Sequence, residues 1–198
     1  ALAGISVDLR TGQAISLSLD DANIGTDTLT GIENLIAGHF DDLLIGDLLD
    51  NKIQGMGGND TIKGNGGDDV LIGGLGQDSL YGGDGSDFFV FREGDGGATL
   101  DQADIIKDFE NGHDLIQLDS DIDHITISGG LGFYAGHSIL QESASGEYLV
   151  IIENVSALEL DESDFFHTSL LVVKKAPTLA VNQISDDDMI NALESQAG

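Results

Sequence analysis

The chain has no cysteine, no tryptophan and a single proline, Pro177, in 198 residues. Without cysteine there can be no disulfide framework, no thiolate metal site and no thiol nucleophile. Basic residues are almost as scarce. Seven Lys and Arg face 36 Asp and Glu, for a formal charge of −29. A surface this acidic excludes nucleic acid and anionic membranes as partners, because both require clustered cations. No apolar run reaches the length of a membrane-spanning helix, so membrane insertion is not expected. The N-terminal residues lack a basic stretch leading into an apolar one, so they do not read as a signal peptide. They read as the continuation of a longer chain.

What the chain does have is glycine, 28 residues of it, and order in where it falls. From 37 to 90 a nine-residue unit repeats six times. The cleanest copies are GMGGNDTIK (55–63), GNGGDDVLI (64–72), GGLGQDSLY (73–81) and GGDGSDFFV (82–90). The sixth position holds Asp42, Asn51, Asp60, Asp69, Asp78 and Asp87; the eighth holds Leu44, Ile53, Ile62, Leu71, Leu80 and Phe89. Each unit therefore has a glycine-rich polar half suited to a tight turn. Its apolar half suits a short strand with the middle side chain turned inward. Neither half is stable alone, but stacked units bury a continuous apolar column. A flexible linker would not place an aliphatic or aromatic side chain at every ninth position.

If one unit makes half a coil, Asp42, Asp60 and Asp78 stack along one edge and Asn51, Asp69 and Asp87 along the other. Carboxylates stacked at the strand spacing of about 4.8 Å repel one another. Hard divalent cations between them would relieve that repulsion. Calcium suits such a place because it accepts carboxylate and carbonyl oxygens in flexible geometry, whereas magnesium retains its water. The candidate ligands are the carboxylates of Asp42, Asp60, Asp69, Asp78 and Asp87 and the backbone of Gly55, Gly57, Gly64, Gly66, Gly73 and Gly82. Two units depart from the pattern. Phe40 and Leu49 stand where glycine is expected, and Asn51 replaces Asp.

These units resemble the calcium-binding nonapeptide of the RTX (repeats-in-toxin) exoproteins. The resemblance implies an all-β fold: a calcium-stabilised parallel β-roll, with several bound Ca²⁺ ions. An alternating stretch at 4–19 reads as an N-terminal β-hairpin around Thr11 and Gly12, covering the first coil. The cluster of Phe88, Phe89, Val90 and Phe91 is expected to plug the far end. The following segment, ADIIKDFENGHDLIQL (103–118), resembles the block after the repeats in secreted RTX metalloproteases. By that resemblance Asp104, Asp108 and Asp114 are further calcium ligands; a solvated turn is the plainer reading. An antiparallel β cap is expected over 92–175, with strands near 124–128, 138–141, 148–153 and 158–160. Residues 176–198 resemble the opening of an Ig-like repeat of long bacterial adhesins, or form a linker. The expected division is thus 1–175, with entry strands to 36, repeats over 37–91 and the cap beyond, followed by 176–198.

No catalytic grouping stands out. There is no GxSxG and no HExxH, and the five histidines fall at spacings that suggest no zinc site. A non-enzymatic module is expected. The segment GGLGFYAGH (129–137) is the candidate recognition element: Gly130 and Gly132 free the backbone, while Phe133, Tyr134 and His137 offer aromatic and polar contact. A glycine-rich hairpin packed over the roll is the alternative. The roll-plus-cap organisation resembles the ligand-binding heads of long RTX adhesins. That resemblance implies a secreted or cell-surface adhesion module, exported by type I secretion, monomeric within a long chain. Its ligand would be a peptide C-terminal carboxylate, or else a glycan, on another cell. A passive folding and secretion module of an RTX exoenzyme is the competing expectation.

Overall fold

The computed structural model describes residues 4–17, 26–119, 122, 124–166 and 172–176. Strands β1 (Ile5–Asp8) and β2 (Gln13–Ser16) form the expected hairpin, and β3 (Asp27–Thr28) adds to β2. The coils follow as β4 (Asn34–Ile36), β5 (Leu43–Ile45), β6 (Lys52–Gly57), β7 (Thr61–Gly66), β8 (Val70–Leu75), β9 (Ser79–Asp84) and β10 (Phe88–Phe91). Successive strands alternate between two sheets. β5, β7 and β9 pair in parallel in one; β4, β6, β8 and β10 pair in parallel in the other. A nine-residue unit is therefore half a coil. The longer strands run six residues because the first glycines of the next unit continue the ladder.

The eighth-position side chains meet between the sheets. Leu44, Ile53, Ile62, Leu71, Leu80 and Phe89 are all fully buried. Burial of one such side chain contributes about 1.5–3 kcal/mol, and the column is the core of the roll. Val7 extends it at the N-terminal end, since β1 pairs in parallel with β5. The hairpin thus covers the first coil of one sheet, as expected.

At the other end the roll does not stop at Phe88–Phe91. β11 (Asp104–Ile106) continues the first sheet beside β9, and β12 (Leu115–Leu118) continues the second beside β10. Ile106 and Ile116 enter the same core column. Phe89 and Phe91 are buried inside the roll and do not plug it. The remaining strands are β13 (His124–Gly129), β14 (Ser138–Glu142), β15 (Tyr148–Ile152), β16 (Phe165–Phe166) and β17 (Val172–Lys175). Of these strands, β13–β14–β15 form an antiparallel meander. β15 joins β11, β16 joins β12 and β17 joins β13, all in parallel, so the cap is mixed and not purely antiparallel. Residues 157–159 form a turn, and no strand occupies 158–160. The Ig-like reading of the C-terminal segment falls almost wholly outside the described residues. Its first residue, Ala176, donates its amide to the Ile127 carbonyl.

Candidate metal centre

The sixth-position side chains form two ladders along the edges of the roll. On one edge the amide of Asp42 donates to Oδ1 of Asp60 (2.8 Å), and that of Asp60 to Oδ1 of Asp78 (2.7 Å). On the other, Asn51 donates to Asp69 (2.7 Å) and Asp69 to Asp87 (2.9 Å). The segment after the repeats continues both. Asp78 donates to Asp104 (2.8 Å) and Asp87 to Asp114 (3.0 Å). At the start, Ile5 of the hairpin donates to Asp42 (2.6 Å). Each repeat turn of these ladders thus has its sixth-position amide satisfied by the turn that follows.

The second oxygen of these carboxylates tells a different story. Oδ2 of Asp60, Asp69, Asp78, Asp87 and Asp104 is buried and has no hydrogen-bond partner. A buried carboxylate oxygen without a partner costs several kcal/mol of lost solvation unless a cation reaches it. The space beside it is bounded by oxygen. A Cβ built on Gly55 would lie 2.1 Å from Oδ2 of Asp60 and 2.8 Å from the Gly73 carbonyl. On Gly64 it would lie 2.0 Å from Oδ2 of Asp69 and 2.6 Å from the Gly82 carbonyl. Glycine leaves a cradle where carboxylate and carbonyl oxygens converge.

Burial pushes the carboxyls of Asp60, Asp69 and Asp78 up to about 7 and that of Asp87 to about 6, with neighbouring carboxylates adding to the rise. Asp104, Asp108 and Asp114 are raised for the same first reason. No lysine or arginine relieves the ladders. Arg10 pairs with Asp8 and Lys107 with Glu153, and Lys63 lies over the Tyr81 ring. No group of three His, Cys, Asp or Glu side chains converges among the described residues. An ion here must draw on backbone carbonyls as well as carboxylates, which is calcium chemistry and unlike that of zinc.

Residues 45–80 and 64–97 match the family model of the RTX calcium-binding nonapeptide repeat. These units are RTX repeats. RTX nonapeptide repeats bind calcium ions, so calcium is the cofactor of this roll. The fold is similar to the solution structure of the AlgE6R3 subunit of the Azotobacter vinelandii mannuronan C5-epimerase. The identity is 25% and the TM-score 0.56, over 79% of this chain and 92% of that one. The AlgE6R2 subunit of the same enzyme aligns at 24% identity and a TM-score of 0.48, over 67% of this chain and 94% of that one. No curated protein sequence matches the chain.

The expected RTX ligands differ in what their oxygens and glycine positions meet. Asp60, Asp69, Asp78 and Asp87 present free oxygens. Asp42 does not: both of its oxygens accept amides, from Ile5 and from Gly38. The carbonyls that converge on the cradles belong to Gly64, Gly73 and Gly82, while Gly55 contributes the vacant Cβ position. A side chain at Gly57 or Gly66 would meet His39 or Leu48 and not a carboxylate. Asp108 accepts the amide of Gly82 (2.9 Å).

The two irregular RTX units have a physical reason. A Cβ on Gly58 would lie 2.4 Å from the Phe40 backbone, and one on Gly67 2.6 Å from that of Leu49. The fourth-position glycine is needed where one repeat turn stacks on another. Phe40 and Leu49 sit in the first repeat turn of each edge, with no repeat turn before them. Sequence reasoning also missed a second RTX ladder at the fifth position. Oδ1 of Asp41 accepts the amide of Asn59 (2.7 Å), and Oδ1 of Asn59 that of Gln77 (2.9 Å). Asp50, Asp68 and Ser86 repeat this on the other edge. The recurrence of Asp and Asn at that position was its only signal.

The candidate recognition segment is partly dispersed. Gly130 and His137 line a cleft of about 520 Å³ at the end of the cap, with Leu131, Leu158 and Lys175. Phe133 is 92% exposed and outside the cleft lining; Gly132 also lies outside it. Tyr134 packs against the small cluster of Ala103, Ile139 and Ile151. Leu158 and Lys175 were not legible as partners, because they come from segments more than 20 residues downstream. His137 accepts the Asn154 amide at Nδ1 (2.9 Å), which places its remaining proton on Nε2.

Proposed function

We propose that the chain is a non-catalytic, calcium-folded adhesion module of a secreted RTX protein, with its ligand site in the cleft of the cap. The observation that carries this reading is the cleft itself. Leu131 and Leu158 stand 78% and 71% exposed at an apolar cleft beside Lys175, whose ammonium donates to the Leu158 carbonyl (3.3 Å) and lies within electrostatic reach of the exposed Asp161. Exposed apolar side chains beside one cation suit a ligand with an apolar body and a carboxylate, such as a peptide C-terminus. Calcium supplies the timing. Extracellular sites tune to roughly 10⁻⁴–10⁻³ M, so the chain stays open during export and folds outside the cell, binding free energy acting as folding free energy. The module works as a monomer within a longer chain.

A second reading is favoured by one comparison. The likeness to a subunit of a mannuronan C5-epimerase spans 92% of that subunit. It supports a folding or glycan-handling accessory attached to a secreted enzyme. The test is fluorescence polarisation of peptides with free and amidated C-termini, beside an array of neutral and carboxylated glycans, in calcium and in chelator. Binding that needs calcium, a free carboxylate and Lys175 is expected. Glycan binding alone, or no binding with calcium-dependent folding intact, would replace the first reading with the second.

A further inference from the structure

Two Asn-Gly steps occur in the sequence, Asn65-Gly66 and Asn111-Gly112. At such a step the asparagine amide is easily lost, because glycine puts no side chain in the way of its own nitrogen. The fold treats the two oppositely. Gly66 is buried within β7, opposite Asp84 of β9, and the Asn65 side chain donates to the Gly46 carbonyl (2.9 Å). Asn111 and Gly112 stand exposed in the turn between β11 and β12, and nothing lies within 4 Å of the place a Gly112 Cβ would take. The amides of His113 and Asp114 close this turn on the Glu110 carbonyl (3.0 and 2.9 Å), and the Glu110 amide donates to Oδ2 of Asp114 (2.8 Å). The Gly112 amide has no acceptor among the described residues. Asn111 donates Nδ2, the atom that would leave, to the Glu159 carbonyl (3.0 Å). That bond reaches the cleft. The Glu159 amide donates to the Ser156 carbonyl (2.8 Å), and its carboxylate accepts the Ser156 amide (2.7 Å). Ser156, Ala157 and Leu158 of this second turn line the cleft.

We infer that Asn111 is a site of spontaneous deamidation, and that its conversion unties this wall of the cleft. The Gly112 nitrogen attacks Cγ of Asn111. A C–N bond forms, Nδ2 leaves as ammonia with the proton that the Gly112 nitrogen gives up, and a succinimide ring closes. Water then opens the ring at either carbonyl. One opening restores the main chain with aspartate at 111. The other leaves isoaspartate, with the chain routed through the side-chain carbon. The net change takes up water and releases ammonia. Either product has lost the donor to the Glu159 carbonyl, and each adds a negative charge to a turn where Asp108 and Glu110 already act on Asp114. Isoaspartate also adds a methylene to the main chain between Glu110 and Asp114, which the bonds closing that turn do not accommodate. The step draws only on water and stands whatever the cleft binds.

The test is to age the full chain in calcium at mildly alkaline pH and locate the converted residues by proteolysis and mass spectrometry. The same chain unfolded in guanidinium chloride is the reference. Asn111 is expected to convert at close to its unfolded rate, and Asn65 more than about tenfold slower than its own, because attack there waits on the opening of β7. An Asn111 protected as strongly as Asn65 overturns the assignment. The consequence is read by amide hydrogen exchange in calcium, on Asn111→Asp and on the isoaspartate form separated from aged protein. Exchange at 156–159 is expected to quicken in both, and at 110–114 chiefly in the isoaspartate form. Unchanged exchange at 156–159 in both overturns the link to the cleft.

Discussion

At the scale of single residues, the turns are governed by where a Cβ can go. Met56 and Asn65 occupy the second repeat position with φ of 82° and 80°, the conformation that Gly74 and Gly83 take in later turns. A side chain held there costs about 1–2 kcal/mol, partly offset by the greater freedom glycine has when unfolded. Met56→Gly is therefore expected to stabilise the calcium-bound fold by about 0.5–1 kcal/mol, read as a rise of a few degrees in a thermal melt. Gly58→Ala should do the reverse. Gly58 has φ of 109° and its Cβ would strike the Phe40 backbone, so a loss of more than about 2 kcal/mol is expected. If alanine is tolerated there without a fall in melting temperature, the close stacking of turns is not what requires the glycine.

At the scale of elements, parity is the governing constraint. Each unit moves the chain from one sheet to the other, so removing an even number of units keeps the N-terminal hairpin and β11 on one sheet, and removing an odd number puts them on opposite sheets. Deleting 64–81 removes one full coil and should leave a shorter roll that still folds with calcium. Deleting 64–72 removes half a coil; β11 still follows β9 and Asp104 still meets Asp78, but the hairpin and the cap then lie on opposite sheets. Circular dichroism and size exclusion in calcium should give a compact β-rich form for both deletions. Loss of that form for the shorter deletion alone would mean that the hairpin and the cap must share a sheet. This constraint explains what could be read in advance. The sixth and eighth positions recur strictly, so the two edges, the core column and the pairing of Leu44 with Ile62 follow from counting. The hairpin showed itself by alternation. The ends of the fold did not. β16 has two residues, and β17 reaches β13 across some fifty residues, so each is set by tertiary pairing that no local pattern encodes. The cleft was illegible for the same reason: Gly130 and His137 were visible as a glycine-rich segment, but Leu158 and Lys175 reach them only through the cap.

At the scale of the whole molecule, charge and burial set the chain against itself until metal arrives. The charge of −29 favours expansion, and the buried carboxylates of the ladders favour protons or calcium over solvent. An unfolded aspartate titrates near 3.9, whereas burial raises Asp60, Asp69 and Asp78 to about 7 and Asp87 to about 6 in the metal-free fold. Between those limits the folded form binds more protons than the unfolded one. Its stability is thus fully present below about pH 4 and is lost as pH rises through about 7. Calcium reverses the dependence, because the ion needs ionised carboxylates; it displaces protons on binding and holds less tightly as pH falls through the same window. In chelator, far-ultraviolet circular dichroism should show an expanded chain at pH 8 that gains β structure on acidification towards pH 4–5. In calcium the β signal should persist at pH 8. Calorimetric titration at pH 6 should give heats that depend on the ionisation enthalpy of the buffer, more strongly than at pH 8, because more protons leave the ladders there. A metal-free chain as β-rich at pH 8 as the calcium form would mean that the aliphatic column alone outweighs the repulsion of the ladders, and that calcium decorates a roll it does not build.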